Sequence, residues 1–249
     1  MNQKRFEAAK NKIVGMPRER EGIGTLKEKT LHAMLKNYYA PDEKMHEVPI
    51  GNYVADIFTG NAVYEIQNGN FYKIRAKLDA FLAEYPVTVI YPIPHYKWLI
   101  WIDEGTGEFS PRRKSPLTGS AYGAFAELYR IKNYLKNERL HFIFPLIDME
   151  EYRLLNGWSK DRKKGSCRYD RIPVALFDEV VIEKREDYLQ FLPETLPEVF
   201  TVKDLSQTAK ISLKAAGITL HILTYLDITE RTGKLGRAYL YRQKLFLKG

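Results

Sequence analysis

The run Val87-Thr-Val-Ile-Tyr-Pro92 is almost wholly apolar, and a strand apolar at successive positions must be covered on both faces. It predicts the central strand of an α/β fold, a mixed sheet flanked by helices. The elements before it follow from their periodicity. Thr25 caps a helix and Glu28, three residues on, completes a capping box. Leu31, Met34, Leu35 and Tyr38 then form a one-sided apolar stripe that stops at Pro41-Asp42. Short strands are predicted over Glu47–Ile50, Tyr53–Phe58 and Ala62–Gln67, joined by Gly51-Asn52 and Thr59-Gly60-Asn61. A helix from Phe71 to Tyr85 turns Ile74, Leu78, Phe81 and Leu82 inward and ends at Pro86. The resulting order is α-β-β-β-α-β.

Residues 1–24 are polar and carry Gly15, Pro17, Gly22 and Gly24, which predicts a loosely held arm. Beyond Pro92, strands are expected at Trp98–Asp103, His141–Asp148 and Val174–Glu183, with a helix over Ala121–Lys136. Gly105–Ser120 is a turn-rich loop containing Arg112-Arg113-Lys114. Pro193 and Pro197 flank a linker, so the expected division is an arm (1–24), an α/β domain (25–192) and a carboxy-terminal domain (193–249).

The chain has a formal charge of +8, unevenly placed. Residues 198–249 hold nine Lys/Arg and four Asp/Glu. The island Lys160-Asp-Arg-Lys-Lys-Gly-Ser-Cys-Arg-Tyr-Asp-Arg171 holds six and two. That island reads equally as a solvated loop and as a contact for phosphate. From Thr201 the pattern changes. Val202–Thr208 is a short helix, Lys210-Ile211 a turn, and Ser212 caps a helix reaching Leu226 with Ala216, Leu220 and Leu223 inward. Strands at Ile228–Arg231 and Arg237–Arg242 flank Thr232-Gly-Lys-Leu-Gly236. Two helices followed by a basic, glycine-tipped hairpin resemble a winged-helix domain, although the module's usual first helix is obscured by Pro193 and Pro197. The resemblance implies a second helix in the major groove of DNA and a wing whose Lys234 and Arg237 reach phosphate or the minor groove. Lys210, Lys214, His221, Arg231, Arg112, Arg113, Lys163 and Lys164 are the further expected DNA contacts. The outward face of the second helix (Lys214, Gly217, Ile218, His221, Tyr225) is thin and partly apolar, so it suits packing on protein as well.

Asp56 lies late in the second predicted strand and Glu65-Ile66-Gln67 closes the third. Strand alternation puts Glu65 and Gln67 on one side. If the strands pair, Asp56 and Glu65 converge, and two carboxylates suit a hard cation such as Mg²⁺. This pattern resembles the PD-(D/E)xK nuclease superfamily, with its αβββαβ core and an acid preceding Glu-x-Lys, over Thr25 to Pro92. The resemblance implies Asp56 and Glu65 as ligands of Mg²⁺ or Mn²⁺, the Ile66 carbonyl as a further ligand, Gln67 in the lysine's place, and Glu28 as an additional acid. Ala55 stands where the superfamily's proline falls. Gln can orient water but carries no charge, so Lys73 or Lys77 on the next helix could supply the missing cation, although a solvated face is the expected place for both. Glu28 reads equally as a plain capping residue, and His32 sits one turn beyond it, where it could face the same cleft.

Other chemistries find little support. There is no phosphate-binding glycine loop, no His-Glu-x-x-His and no Cys-x-x-Cys. The lone Cys167 forms no intramolecular disulfide, the start carries no apolar leader, and no apolar run is long enough for a bilayer, which predicts a cytoplasmic protein away from membranes. The expectation is a Mg²⁺-dependent endonuclease of bacterial type acting on double-stranded DNA, with a restriction or defence role by analogy. Cutting a duplex with one site per chain favours a homodimer. The alternative is an inert nuclease-like protein that binds DNA or builds an assembly.

Overall fold

The computed structural model describes residues 2–14, 29–155 and 165–244. The elements run α1 (Gln3–Val14), α2 (Thr30–Tyr39), β1 (His46–Ile50), β2 (Tyr53–Phe58), β3 (Val63–Ile66), α3 (Arg75–Glu84), β4 (Val87–Ile90), β5 (Ile93–Asp103), β6 (Arg113–Lys114), α4 (Phe125–Leu128), β7 (Leu140–Leu155) and β8 (Cys167–Ile182). Then follow β9 (Val199–Phe200), α5 (Val202–Thr208), α6 (Leu213–Tyr225), β10 (Thr229–Leu235) and β11 (Ala238–Gln243). Strands order as β1-β2-β3-β4-β7-β5-β6, with β8 also on β7, in a large mixed sheet. β3, β4 and the start of β7 are parallel, whereas β1 and β2 are antiparallel. Val87, Val89 and Ile90 of β4 are wholly buried, as a strand covered on both faces requires.

The chain splits into two compact units. The first comprises residues 1–60, 92–120 and 145–179; the second comprises 61–91, 121–144 and 180–249. In the first unit, the arm expected to be loose contains α1. Phe6, Ala9 and Ile13 are buried at a helical spacing. Its polar residues also hold it: Gln3 and Lys10 donate to the carbonyls of Leu176 and Val174, and Arg5 to that of Tyr39. Its few apolar residues, two of them alanines, stand among charges, too weak a stripe to outweigh the glycines downstream. The stripe of α2 is buried as expected; Thr25 and Glu28 lie outside the described residues.

In the second unit, α3 buries Leu78, Phe81 and Leu82, and the turn before it buries Ile74. The single helix expected over 121–136 is instead a 3₁₀ turn, the short α4, and a second 3₁₀ segment with a kink at Ile131 (φ −119°, ψ 25°). Phe125, Leu128 and Ile131 are all buried and fall three apart, a spacing that aligns on a 3₁₀ helix but drifts on an α-helix. In the carboxy-terminal segment, α5 carries a Thr201/Asp204 capping box and Ser212 caps α6. β10 and β11 form a hairpin turning at Gly236 (φ 60°), and β9 adds to β11. β7 and β8 are each 16 residues long and outrun the strands predicted there, because charged residues such as Glu151, Arg153, Arg168 and Arg171 interrupt the apolar signal. No helix of the described residues is long and apolar enough to cross a membrane.

Phe6 is wholly buried, so Phe6→Ala is expected to lower the unfolding free energy by roughly 3–5 kcal/mol. Urea denaturation followed by circular dichroism measures this, and an unchanged midpoint would mean that α1 is dispensable.

Candidate active site

In the second unit β3 aligns with β4 through Glu65↔Val89 and Ile66↔Ile90, and the strand ends as the Gln67 amide donates to the Ile90 carbonyl at 2.8 Å. Glu65 is wholly buried. A carboxylate removed from water needs a charged partner, and the sheet's neighbour α3 provides it. Lys77 Nζ donates to Oε1 at 3.0 Å and Oε2 at 2.9 Å, and Gln67 Nε2 lies 3.5 Å from Oε2. Lys77 is therefore not on a solvated face, as expected from sequence, but is the buried acid's counterion. Lys73 forms no ion pair with an acid among the described residues. The buried Ile66 follows Glu65 at the strand's end.

In the first unit Asp56 alternates with the buried Ala55 and Ile57 of β2. His32 of α2 brings Nε2 to 3.4 Å from Asp56 Oδ1. The hairpin register, His46↔Ile57 and Val48↔Ala55, sets Glu47 across from Asp56. Glu47 adopts a left-handed backbone (φ 52°), uncommon outside glycine. Its carboxylate meets Lys36 Nζ at 2.7 Å, and Lys36 holds that carboxyl below the usual range against the opposing effect of Asp56. The Lys36 side chain is only 6% exposed, so α2 buries a cation beneath Glu47. Neither residue stood out in the sequence, because a lysine beside an apolar stripe and a glutamate in an alternating strand are both ordinary.

Asp56 and Glu65 thus sit in different compact units, each with a nitrogen partner of its own. Among the described residues no three or more His, Cys, Asp or Glu side chains gather as a metal site. Glu28, Lys163 and Lys164 lie outside the described residues.

The expected DNA contacts separate into two groups. Lys210, at the turn between α5 and α6 (φ 53°), and Lys214, Lys234 and Arg237 are exposed. Others are engaged by protein. The His221 ring meets Tyr129 edge-on at 5.2 Å, and Lys132 and Lys136 each stand 4.9 Å from the Tyr225 ring. His221 and Tyr225, on the carboxy-terminal half of the outward face of α6, therefore meet residues 129–136 of the same unit. On the hairpin, Arg231 and Lys234 lie over the Tyr239 ring at 4.2 and 4.9 Å and both stay exposed. In the first unit Arg112 stacks on Trp98 at 4.1 Å and pairs with Glu150 at 2.9 Å, while Arg113 is exposed on β6. Partial burial, together with Lys132 and Arg231, pushes the His221 imidazole below its ordinary value. A histidine depressed in the folded state contributes stability above its unfolded pKa of ~6.5 and loses it as pH falls through the folded value.

A family described as "Domain of unknown function (DUF8091)" matches residues 29–183. A protein of Treponema pallidum (strain Nichols), described as uncharacterised, is 27% identical over 235 residues, covering 89% of this chain and 88% of its own length. No solved structure matches the chain.

Removing the counterion tests the buried pair. Lys77→Met is expected to cost roughly 3–5 kcal/mol, since it strands an unpaired buried carboxylate. The double variant Lys77→Met/Glu65→Leu should recover most of that loss in the same denaturation assay. His221 gives a second check: its ring should titrate below pH 6.5 in a proton NMR titration, and a value above 6.5 would contradict the packing against Tyr129.

Proposed function

The chain belongs to the DUF8091 family, and we propose that it is a Mg²⁺-dependent endonuclease acting on double-stranded DNA. The observation that carries this reading is the buried Glu65 carboxylate at the end of β3, with Gln67 beside it and Lys77 reaching it from α3. The order α2-β1-β2-β3-α3-β4, with β3 and β4 parallel, supports the resemblance to the PD-(D/E)xK core. In this reading Lys77 supplies from the helix the cation that Gln67 does not carry, beside the attacking water. Gln67 orients that water through its amide. Asp56 and Glu65, hard oxygen donors, are the carboxylates that the resemblance implies as ligands of Mg²⁺ or Mn²⁺, with the Ile66 carbonyl and Glu28 as further candidates. The metal, when bound, acidifies water and offsets charge on the phosphate. Water adds to phosphorus, the ester P–O bond breaks, and the departing oxygen takes up a proton.

The carboxy-terminal helices and hairpin support a winged-helix reading with a narrowed DNA surface. Lys210, Lys214, Lys234 and Arg237 are exposed and suit phosphate contacts. His221 meets Tyr129, so base reading by the middle of α6 is not part of the proposal, whereas Arg231, exposed on β10, stays with the phosphate contacts.

A second reading rests on one detail. Lys77 Nζ bonds both oxygens of Glu65, which is where a cation would bind, so an inert nuclease-like protein that binds DNA is also compatible with the geometry. Calorimetry with Mg²⁺ and cleavage of a plasmid separate the two. For the enzyme, Mg²⁺ binds, Asp56→Asn abolishes binding and cleavage, and Gln67→Lys keeps or raises the rate. Cleavage that survives both Asp56→Asn and Glu65→Gln would place the chemistry elsewhere. A silent wild type with activity appearing in Gln67→Lys would establish the inert reading.

A further inference from the structure

A second wholly buried glutamate lies in the first unit, and its charge balance is reversed. Glu151 of β7 is 0% exposed. Around it stand Arg153 Nη1 at 2.9 Å from Oε1, with Arg171 Nε at 3.0 Å, Arg168 Nε at 3.4 Å and Lys97 Nζ at 3.6 Å from Oε2. The parallel register of β5 and β7 aligns Leu99 with Glu151 and Trp101 with Arg153, so Lys97 of β5 shares their face. Four cations therefore converge on one carboxylate, where one or two would have neutralised it.

The donors are unequally used. Arg153 is fully engaged, since its Nε and Nη2 also donate to the hydroxyl and carbonyl of Ser166. Arg171 gives only Nε to Glu151, and among the described residues its two Nη groups have no partner. The Lys97 ammonium has only the carboxylate at 3.6 Å, beyond a normal hydrogen bond. Burial pushes the Lys97 ammonium below its ordinary value, and the three guanidinium groups push it the same way against Glu151. Burial alone would raise the Glu151 carboxyl, yet Arg171, Lys97 and Arg168 hold it below the usual range. Glu151 is thus a fixed anion that aims the cations and, among the described residues, leaves donors of Lys97 and Arg171 to spare. Half-buried like charges repel one another, so the arrangement costs stability unless an anion completes it.

We infer that Lys97, Arg168 and Arg171, aimed by Glu151 and Arg153, form a binding site for a phosphate group. Guanidinium forks match phosphate oxygens two at a time, and an ammonium adds a compact point charge. The site is independent of the metal chemistry proposed for Glu65. The phosphate belongs to a nucleic-acid backbone or to a free phosphate species, which share this chemistry.

Calorimetric titration of the full chain with inorganic phosphate at pH 7 and low chloride tests the inference. Saturable binding at one site is expected, weakened at least tenfold in Lys97→Met and in Arg171→Gln. Lys97→Met should keep or raise the melting temperature without phosphate, because it removes a repelled charge, yet lose the rise that phosphate gives the wild type. A purely structural ion cluster predicts the opposite: a lower melting temperature in Lys97→Met and no response to phosphate. If Arg171→Gln fails to fold, Lys97→Met alone decides. A short duplex that displaces phosphate from the wild type identifies the backbone as the bearer, and one that does not identifies a free phosphate ligand; both outcomes require the site. No saturable heat, or equal affinity in wild type and Lys97→Met, would overturn it.

Discussion

Two carboxylates, Glu65 and Glu151, are held entirely away from water inside strands of this protein. An ionised group so placed costs several kcal/mol unless cations and hydrogen-bond donors surround it. Each therefore dictates what stands beside it. Glu65 fixes Lys77 and so ties α3 to the end of β3. Glu151 fixes Arg153, Arg171 and, through them, Ser166 at the start of β8. Hydrophobic residues of the same volume would pack there without any of these partners, so the acids carry a burden that packing alone does not explain.

The two sites differ in how far charge is balanced. Lys77 meets both oxygens of Glu65, which leaves a pair close to neutral. At Glu151 the cations outnumber the acid, which favours an incoming anion. A protein that handles a phosphodiester needs both kinds of surface, one that gathers positive charge against phosphate and one that holds a cation near the reacting atom. The proposed nuclease reading and the inferred phosphate site would together supply both, though each stands on its own residues.

The carboxy-terminal segment shows how packing narrows a resemblance. A basic hairpin after two helices invites a DNA-reading role, yet His221 and Tyr225 of α6 rest on Tyr129, Lys132 and Lys136 of the same unit. Lys136 also reaches Asp227 at 3.2 Å, and Lys244 meets that acid at 2.9 Å. These contacts join the segment to other residues of its unit. The turn before α6, the first residues of α6 and the hairpin over 231–239 are exposed.

Elements whose faces repeat regularly were legible from sequence alone. The stripe of α2, the apolar run of β4 and the caps at Thr201 and Ser212 each encode a local rule, and the structure obeys it. So was the pairing of Glu65 with Gln67 on one side of a strand, because alternation is a property of the backbone. What only the tertiary structure decided were matters of long-range charge and contact. α1 is ordered by carbonyls of Leu176 and Val174 that lie far along the chain. Lys77 turned inward because an acid twelve residues away needed it. β7 and β8 extended through charged residues because those charges answer one another across the sheet. A charged side chain reads as solvated until its partner is known, and the partner is a fact of the fold.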